Sequence, residues 1–157
     1  MPSPDGLTLH HIGCVVDSIE ARIGSYGLAL GSASVSQVFE DPIQRSRVAF
    51  LDLPAPGSVR LELIQPATPD SPVARFLEKG GGLHHLCYEV DDLPAQIQRM
   101  KSQRALLIRS PKPAVAFGGR HIAWMRTPDS LLIEYLERRL PGASRQDAEN
   151  GHLDVSH

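Results

Sequence analysis

The chain has 157 residues, 41% of them hydrophobic, and a formal net charge of −2. That length suits one compact domain or two small fused modules with a real core. The near-neutral charge excludes a broad basic field for nucleic acid or an acidic membrane surface, and no apolar run approaches a transmembrane span. Two cysteines make no disulfide framework and no secretory pattern opens the chain, so a reducing cytoplasm is the expected setting.

Residues 1–6 are rich in Pro and Ser and read as a loose N-terminus. Residues 7–16 form a short apolar run of strand type. Asp17 and Ser18 then offer N-cap oxygens to a helix reaching about Leu30, with Ile19, Ile23 and Tyr26 at helical spacing. Strands are expected over 34–39, 44–53 and 58–66, which completes a first βαβββ module over 7–66. Residues 67–82 form a linker, with a helix opening at Asp70-Ser71-Pro72 and a stop at Gly80-Gly81-Gly82. A second module over 83–138 repeats the order: strand 83–90, helix 93–102 capped by Asp91-Asp92, then strands 106–109, 120–126 and 131–137. Residues 111–119 are a Pro/Gly-rich loop, and 139–157 lack periodicity and read as a flexible tail.

The repetition extends to individual residues. Leu9-His10-His11 returns as Leu83-His84-His85 at an offset of 74. Arg47-Val48-Ala49-Phe50-Leu51 is echoed by His121-Ile122-Ala123-Trp124-Met125, and Leu61-Glu62-Leu63-Ile64 by Ile133-Glu134-Tyr135-Leu136. Each half therefore carries an early His and a late Glu on apolar strands. Alternation places Glu62 opposite Leu63 and Glu134 opposite Tyr135, so one sheet face can hold His and Glu while the other packs on helices. Two curved sheets joined about a pseudo-twofold axis would gather His11, Glu62, His85 and Glu134. Imidazole plus carboxylate suits one divalent ion, whether Zn, Mn, Co, Ni or Fe. A buried carboxylate in an apolar run is costly unless paired or metal-bound. Strict alternation turns His10 and His84 to the opposite face, and Cys14 and Cys87 read as buried thiols. His121 reads as an ordinary strand residue.

His11-Ile12-Gly13, Glu62-Leu63, Asp70-Ser71-Pro72 with Phe76-Leu77-Glu78-Lys79, His84-His85 and Ile133-Glu134 resemble the vicinal oxygen chelate superfamily, nearest its methylmalonyl-CoA epimerase branch. The resemblance implies an α+β fold: two tandem βαβββ modules forming a cupped mixed sheet around a metal (glyoxalase-like). It implies His11, Glu62, His85 and Glu134 as ligands of one divalent ion, with Glu134 also the catalytic acid/base. It further implies an isomerase or epimerase that abstracts a proton alpha to a carbonyl of a small-molecule substrate such as an acyl-CoA thioester. A homodimer is expected, with no nucleic-acid or membrane partner. The alternatives are a glyoxalase-type lyase on a thiol adduct and a metal-free drug-binding resistance protein. The second family base is a Glu in a Glu-Gln-Gly-Val stretch, which reads Ile43-Gln44-Arg45-Ser46 here, so net inversion is expected only if Glu40 or Asp41, just upstream, or a bound water supplies the second proton.

Overall fold

The computed structural model describes residues 6–32, 34–54, 56–57 and 59–139. Nearly all of the expected tail, and residues 1–5, lie outside the described residues. The first half supplies β1 (Thr8–Val15), α1 (Ile19–Leu30), β2 (Phe39–Asp41), β3 (Ser46–Asp52) and β4 (Arg60–Pro66). A short helix α2 (Ala74–Glu78) leads to the second half: β5 (Gly82–Val90), α3 (Leu93–Ser102), β6 (Leu106–Pro113), a 3-10 turn (Val115–Phe117), β7 (His121–Arg126) and β8 (Leu132–Glu137).

All eight strands form one sheet in the order β2-β3-β4-β1-β5-β8-β7-β6. The order is symmetric about the β1/β5 seam. Each first strand pairs in parallel with its module's last (β1 with β4, β5 with β8), and β1 runs antiparallel to β5. The sheet curls into a cup, bringing β2 at one edge against the 3-10 turn that follows β6 at the other.

The helices begin where side-chain oxygens meet orphan amides. Ser18 accepts from the Ala21 amide and Asp92 from the Ala95 amide. Gly31, at φ 69, ends α1 in the left-handed conformation that glycine adopts without steric cost. Each helix covers the convex side of its own module. Ile19 packs with Ala49, Leu51, Leu61 and Leu63 under α1, and Leu93 and Ile97 pack with Ala123, Met125 and Tyr135 under α3. A third cluster, with Phe50, Ile64, Phe117 and Leu136, lines the concave side.

Three boundaries differ from expectation. The strand expected over 34–39 is displaced to Phe39–Asp41, because the Ser36 hydroxyl takes the Phe50 amide and leaves a single bridge, Val35 to Leu51, upstream. The helix expected from Asp70 starts at Ala74. Ser71 closes a turn to Thr68 and its hydroxyl accepts from the Val73 amide, so turns replace the first helical residues. β6 continues through Pro113 into the expected loop; as an edge strand it tolerates Pro111 and Pro113, which cannot donate to a ladder.

Candidate metal centre and cavity

The site begins with a backbone irregularity. Across the seam Leu9 pairs with Tyr88 and His11 with Cys87, so His10 is an extra residue; Gly13 pairs with His85 and Cys14 with Leu83, so His84 is another. Such a bulge re-aims side chains that strict alternation would turn away. The expectation that His10 and His84 face away from the site is therefore corrected. The Nδ1 of His10 lies 2.8 Å from the Nδ1 of His11, and that of His84 lies 2.9 Å from the Nδ1 of His85. These contacts leave the Nε2 atoms of His11 and His85 facing each other at 3.2 Å.

The four central strands, β4, β1, β5 and β8, each contribute one side chain to this point: Glu62, His11, His85 and Glu134. His11 Nε2 lies 3.2 Å from Glu134 Oε1 and 3.6 Å from Glu62 Oε2, and His85 Nε2 lies 3.7 Å from Glu62 Oε1. All four residues are buried. Glu134 Oε1 is enclosed and accepts no hydrogen bond from the described residues despite the nearby imidazole. Two imidazoles and two carboxylates whose donor atoms converge within 3.2 to 3.7 Å of one another make a mixed set that suits a shared divalent cation.

The packing around the two imidazoles follows the duplication. The His85 ring occupies the space above Gly13, where an added Cβ would sit 2.1 Å from its Cε1. The equivalent residue beneath His11 is Cys87, a fully buried free thiol. Phe50 meets the His11 ring edge-on at 5.6 Å, and Trp124, its echo in the second module, meets His85 at 4.6 Å. Phe117 stacks on His11 at 5.6 Å.

Burial dominates the electrostatics. It pushes the Glu62 carboxyl well above the ordinary carboxylate range, partly opposed by His11 and reinforced by Glu134 and Asp41. It raises Glu134 likewise, with a hydrogen bond from Cys87 opposing and Asp41 reinforcing. Burial, then His11 and His84, holds His85 well below the ordinary imidazole range. His84 is lowered to about 4 by burial and by Arg126. Desolvation thus works against charge on acids and bases alike, and a bound divalent cation would favour the deprotonated carboxylates and neutral imidazoles that ligate it.

Glu62 and Glu134 of this centre line a cavity of about 170 Å³ and form its floor. Its walls include Val48, Ile64, Ala116, Phe117, Ile122 and Trp124, and Arg109 and Arg126 also line it. Neither arginine makes an ion pair among the described residues; Arg109 donates to Gln44 Oε1 at 3.2 Å. Asp41 and Gln44 line the cavity from β2 and the following turn. Glu40 lies outside it, exposed and bonded to Arg47. Ile43 is 43% exposed and also lies outside it. Arg45 adopts φ 52, the left-handed conformation usual for Gly, as expected if Ile43 to Ser46 replaces Glu-Gln-Gly-Val. His121 begins β7 at the surface, bonded to Glu137.

Sequence reasoning singled out the four central residues and offered Glu40 or Asp41 for the second proton, of which only Asp41 lines the cavity; it gave no site role to Gln44, Arg109, Trp124 or Arg126. Only Trp124 left a usable signal, since it stands at the place of Phe50 in the repeat. Arg109 and Arg126 reach the cavity through the curl of the sheet, which local pattern does not encode.

A cupped sheet of paired βαβββ modules with His and Glu converging from both halves defines the glyoxalase class of folds. Residues 10–124 match the glyoxalase/bleomycin resistance protein/dioxygenase superfamily, and the chain belongs to it. It is 34% identical to the ethylmalonyl-CoA/methylmalonyl-CoA epimerase of Cereibacter sphaeroides, over 80% of this chain and 94% of that protein. It is also 34% identical to human mitochondrial methylmalonyl-CoA epimerase, over 80% of this chain and 71% of the relative. The crystal structure of methylmalonyl-CoA epimerase from Mycobacterium tuberculosis matches with a TM-score of 0.73 at 28% identity, covering 84% of this chain and 88% of the other.

Proposed function

We propose that the protein is a divalent-metal-dependent epimerase of a 2-substituted malonyl-CoA or closely related acyl-CoA thioester. One observation carries the reading: a His and a Glu from each half converge, with both carboxylates lining a cavity, in a chain similar over most of its length to enzymes named as such epimerases. His11, Glu62, His85 and Glu134 would hold the ion. The enclosed, unbonded Glu134 Oε1 and the mixed imidazole-carboxylate donors fit a borderline or hard divalent metal.

When bound, that ion would supply Lewis-acid stabilisation of negative charge developing on the substrate's oxygens. Glu134 takes the proton alpha to the thioester on one face. His10 and His84 fix the ring orientation of the two ligand imidazoles through their Nδ1 contacts. The apolar walls exclude water from the reacting carbon, and Arg109 and Arg126 meet anionic groups of the thioester.

The test supplies metal-loaded protein with (2R)- and (2S)-methylmalonyl-CoA separately in deuterium oxide. Epimerisation with incorporation of solvent deuterium at the alpha carbon is expected, and its loss on chelation. Turnover of a glutathione hemithioacetal without either reaction would establish the lyase instead. Metal-free binding of an aromatic drug without catalysis would establish a resistance protein.

A further inference from the structure

We propose that Asp41 is the proton-transfer group for the second face of the substrate's alpha carbon. This rests on the epimerase reading. Inversion requires that a proton leave one face of the carbon and arrive on the other, so a single carboxylate on one side gives exchange without inversion. In the resembled family the second group is a Glu at the position of Ile43. Here that position is apolar and lies outside the cavity.

Asp41 is placed where the chemistry needs it. It lines the same cavity as Glu134 and is only 5% exposed. It comes from β2, at the opposite end of the sheet order from the second module that carries Glu134. Its Oδ2 is 3.4 Å from the amide of Val115, a residue 74 positions further on, the same separation as His11 and His85. Two equivalent positions that touch must lie near the pseudo-twofold axis. The facing Nε2 atoms of His11 and His85 mark that axis at the sheet, and Asp41 with Val115 marks it where the sheet edges meet. The carboxylate therefore lies across the cavity from the floor.

The plain alternative is that Asp41 caps its own turn. Its Oδ1 does accept from the Ile43 and Gln44 amides, each at 3.0 Å. Those two bonds fix the carboxylate's orientation but use only one oxygen, and among the described residues Oδ2 has just the long contact to Val115. A turn cap is usually exposed to solvent. This one is buried, makes no ion pair among the described residues, and sits in the field of two other buried carboxylates.

The proposed step is balanced. For one enantiomer Asp41 is ionised and Glu134 protonated. Asp41 takes the alpha proton and the C–H electron pair moves into the adjacent carbonyl. Glu134 then gives its proton to the other face as the carbonyl re-forms. Turnover ends with Asp41 protonated and Glu134 ionised, the starting state for the opposite enantiomer.

The test compares metal-loaded wild type, Asp41→Asn, Glu134→Gln and the exposed control Glu40→Gln. Each is given (2R)- and (2S)-methylmalonyl-CoA in deuterium oxide, with deuteration and configuration read separately. Asp41→Asn keeps an oxygen for the turn amides. It is expected to slow inversion about 100-fold or more while one enantiomer still exchanges its alpha hydrogen with retention. Glu134→Gln should leave exchange only in the other enantiomer, and Glu40→Gln should match wild type. Asp41→Ser, which also retains an acceptor for the turn, replaces Asp41→Asn if that variant does not fold. Inversion by the Asp41 variants at the wild-type rate would overturn the assignment and leave the epimerase reading standing. So would equal slowing of exchange in both enantiomers, which a purely structural role produces. A wild type that exchanges and inverts neither enantiomer would overturn both.

Discussion

The close fit of His85 over Gly13 makes Gly13→Ala a sharp test of the site. An added Cβ would lie 2.1 Å from His85 Cε1, 2.3 Å from Nδ1 and 2.7 Å from Nε2. Carbon atoms prefer about 3.5 Å or more, so the ring must retreat by about 1.4 Å. It has no room to do so. Trp124 meets its edge at 4.6 Å, and His84 holds its Nδ1 at 2.9 Å. Overpacking of this kind costs about 1–3 kcal/mol, which for a chain of this length lowers the melting temperature by about 3–10 °C. Displacing an imidazole ligand by about 1 Å should weaken divalent-metal affinity by about 100-fold. Gly24 is the control. It lies within α1 with nothing inside 4 Å of an added Cβ, so Gly24→Ala should stabilise by about 0.5–1 kcal/mol and leave metal binding unchanged. Thermal melts and titration calorimetry with Co(II) or Ni(II) read both quantities. Wild-type metal affinity and melting temperature in Gly13→Ala would refute the placement of His85 over Gly13.

His85→Ala should abolish stoichiometric metal binding, whereas His84→Ala should lower affinity by about 10–100-fold through loss of its Nδ1 contact; calorimetry on the pair separates ligand from support. Metal-free protein should lose stability as pH rises from 6.5 to 8. Glu62 and Glu134 have raised folded-state proton affinities, so they keep protons in the folded chain that the unfolded carboxylates have already lost; the lowered His84 and His85 oppose this near pH 6.5, where unfolded imidazoles are still partly protonated, and that opposition fades toward pH 8, where the two carboxyls dominate. Metal-loaded protein should show no such fall in calorimetric melts, because ligation favours the ionised carboxylates. Arg126→Ala should raise the KM for an acyl-CoA substrate by about 10-fold with a smaller change in kcat, as expected for loss of a charge-assisted bond made in both ground and transition states.

Much of the fold was legible because the chain states it twice. The echoes of Leu9-His10-His11 and Leu61-Glu62-Leu63 fixed the order of elements, and the alternation of Glu62 with Leu63 and Glu134 with Tyr135 assigned the two sheet faces. Two kinds of information were not legible. One is the pair of bulges: strict period-two reading sends His10 and His84 the wrong way, although repetition of both histidines in each copy was a hint that both were used. The other is curvature. Asp41, Arg109 and Arg126 reach one cavity only because the sheet edges come round to meet, which depends on twist and edge packing over eight strands. Strand 34–39 failed for a local reason, a serine hydroxyl competing for the Phe50 amide.

Duplication explains the floor of the site better than its mouth. At the floor the halves remain equivalent: His11 answers His85, Glu62 answers Glu134, and Phe50 answers Trp124. A cation held between them would experience nearly twofold surroundings. Inversion of a carbon centre needs a difference along the axis rather than around it, with proton transfer from the floor on one face and from the opposite wall on the other. Where the modules meet at the sheet edges they have diverged. Asp41 presents a carboxylate, and Val115, at the equivalent place, presents only its backbone amide. A second carboxylate at Val115 would face Asp41 directly, and two buried like charges at that distance would not both ionise. The asymmetric pair avoids that repulsion and leaves one carboxylate there, available for the proposed proton transfer.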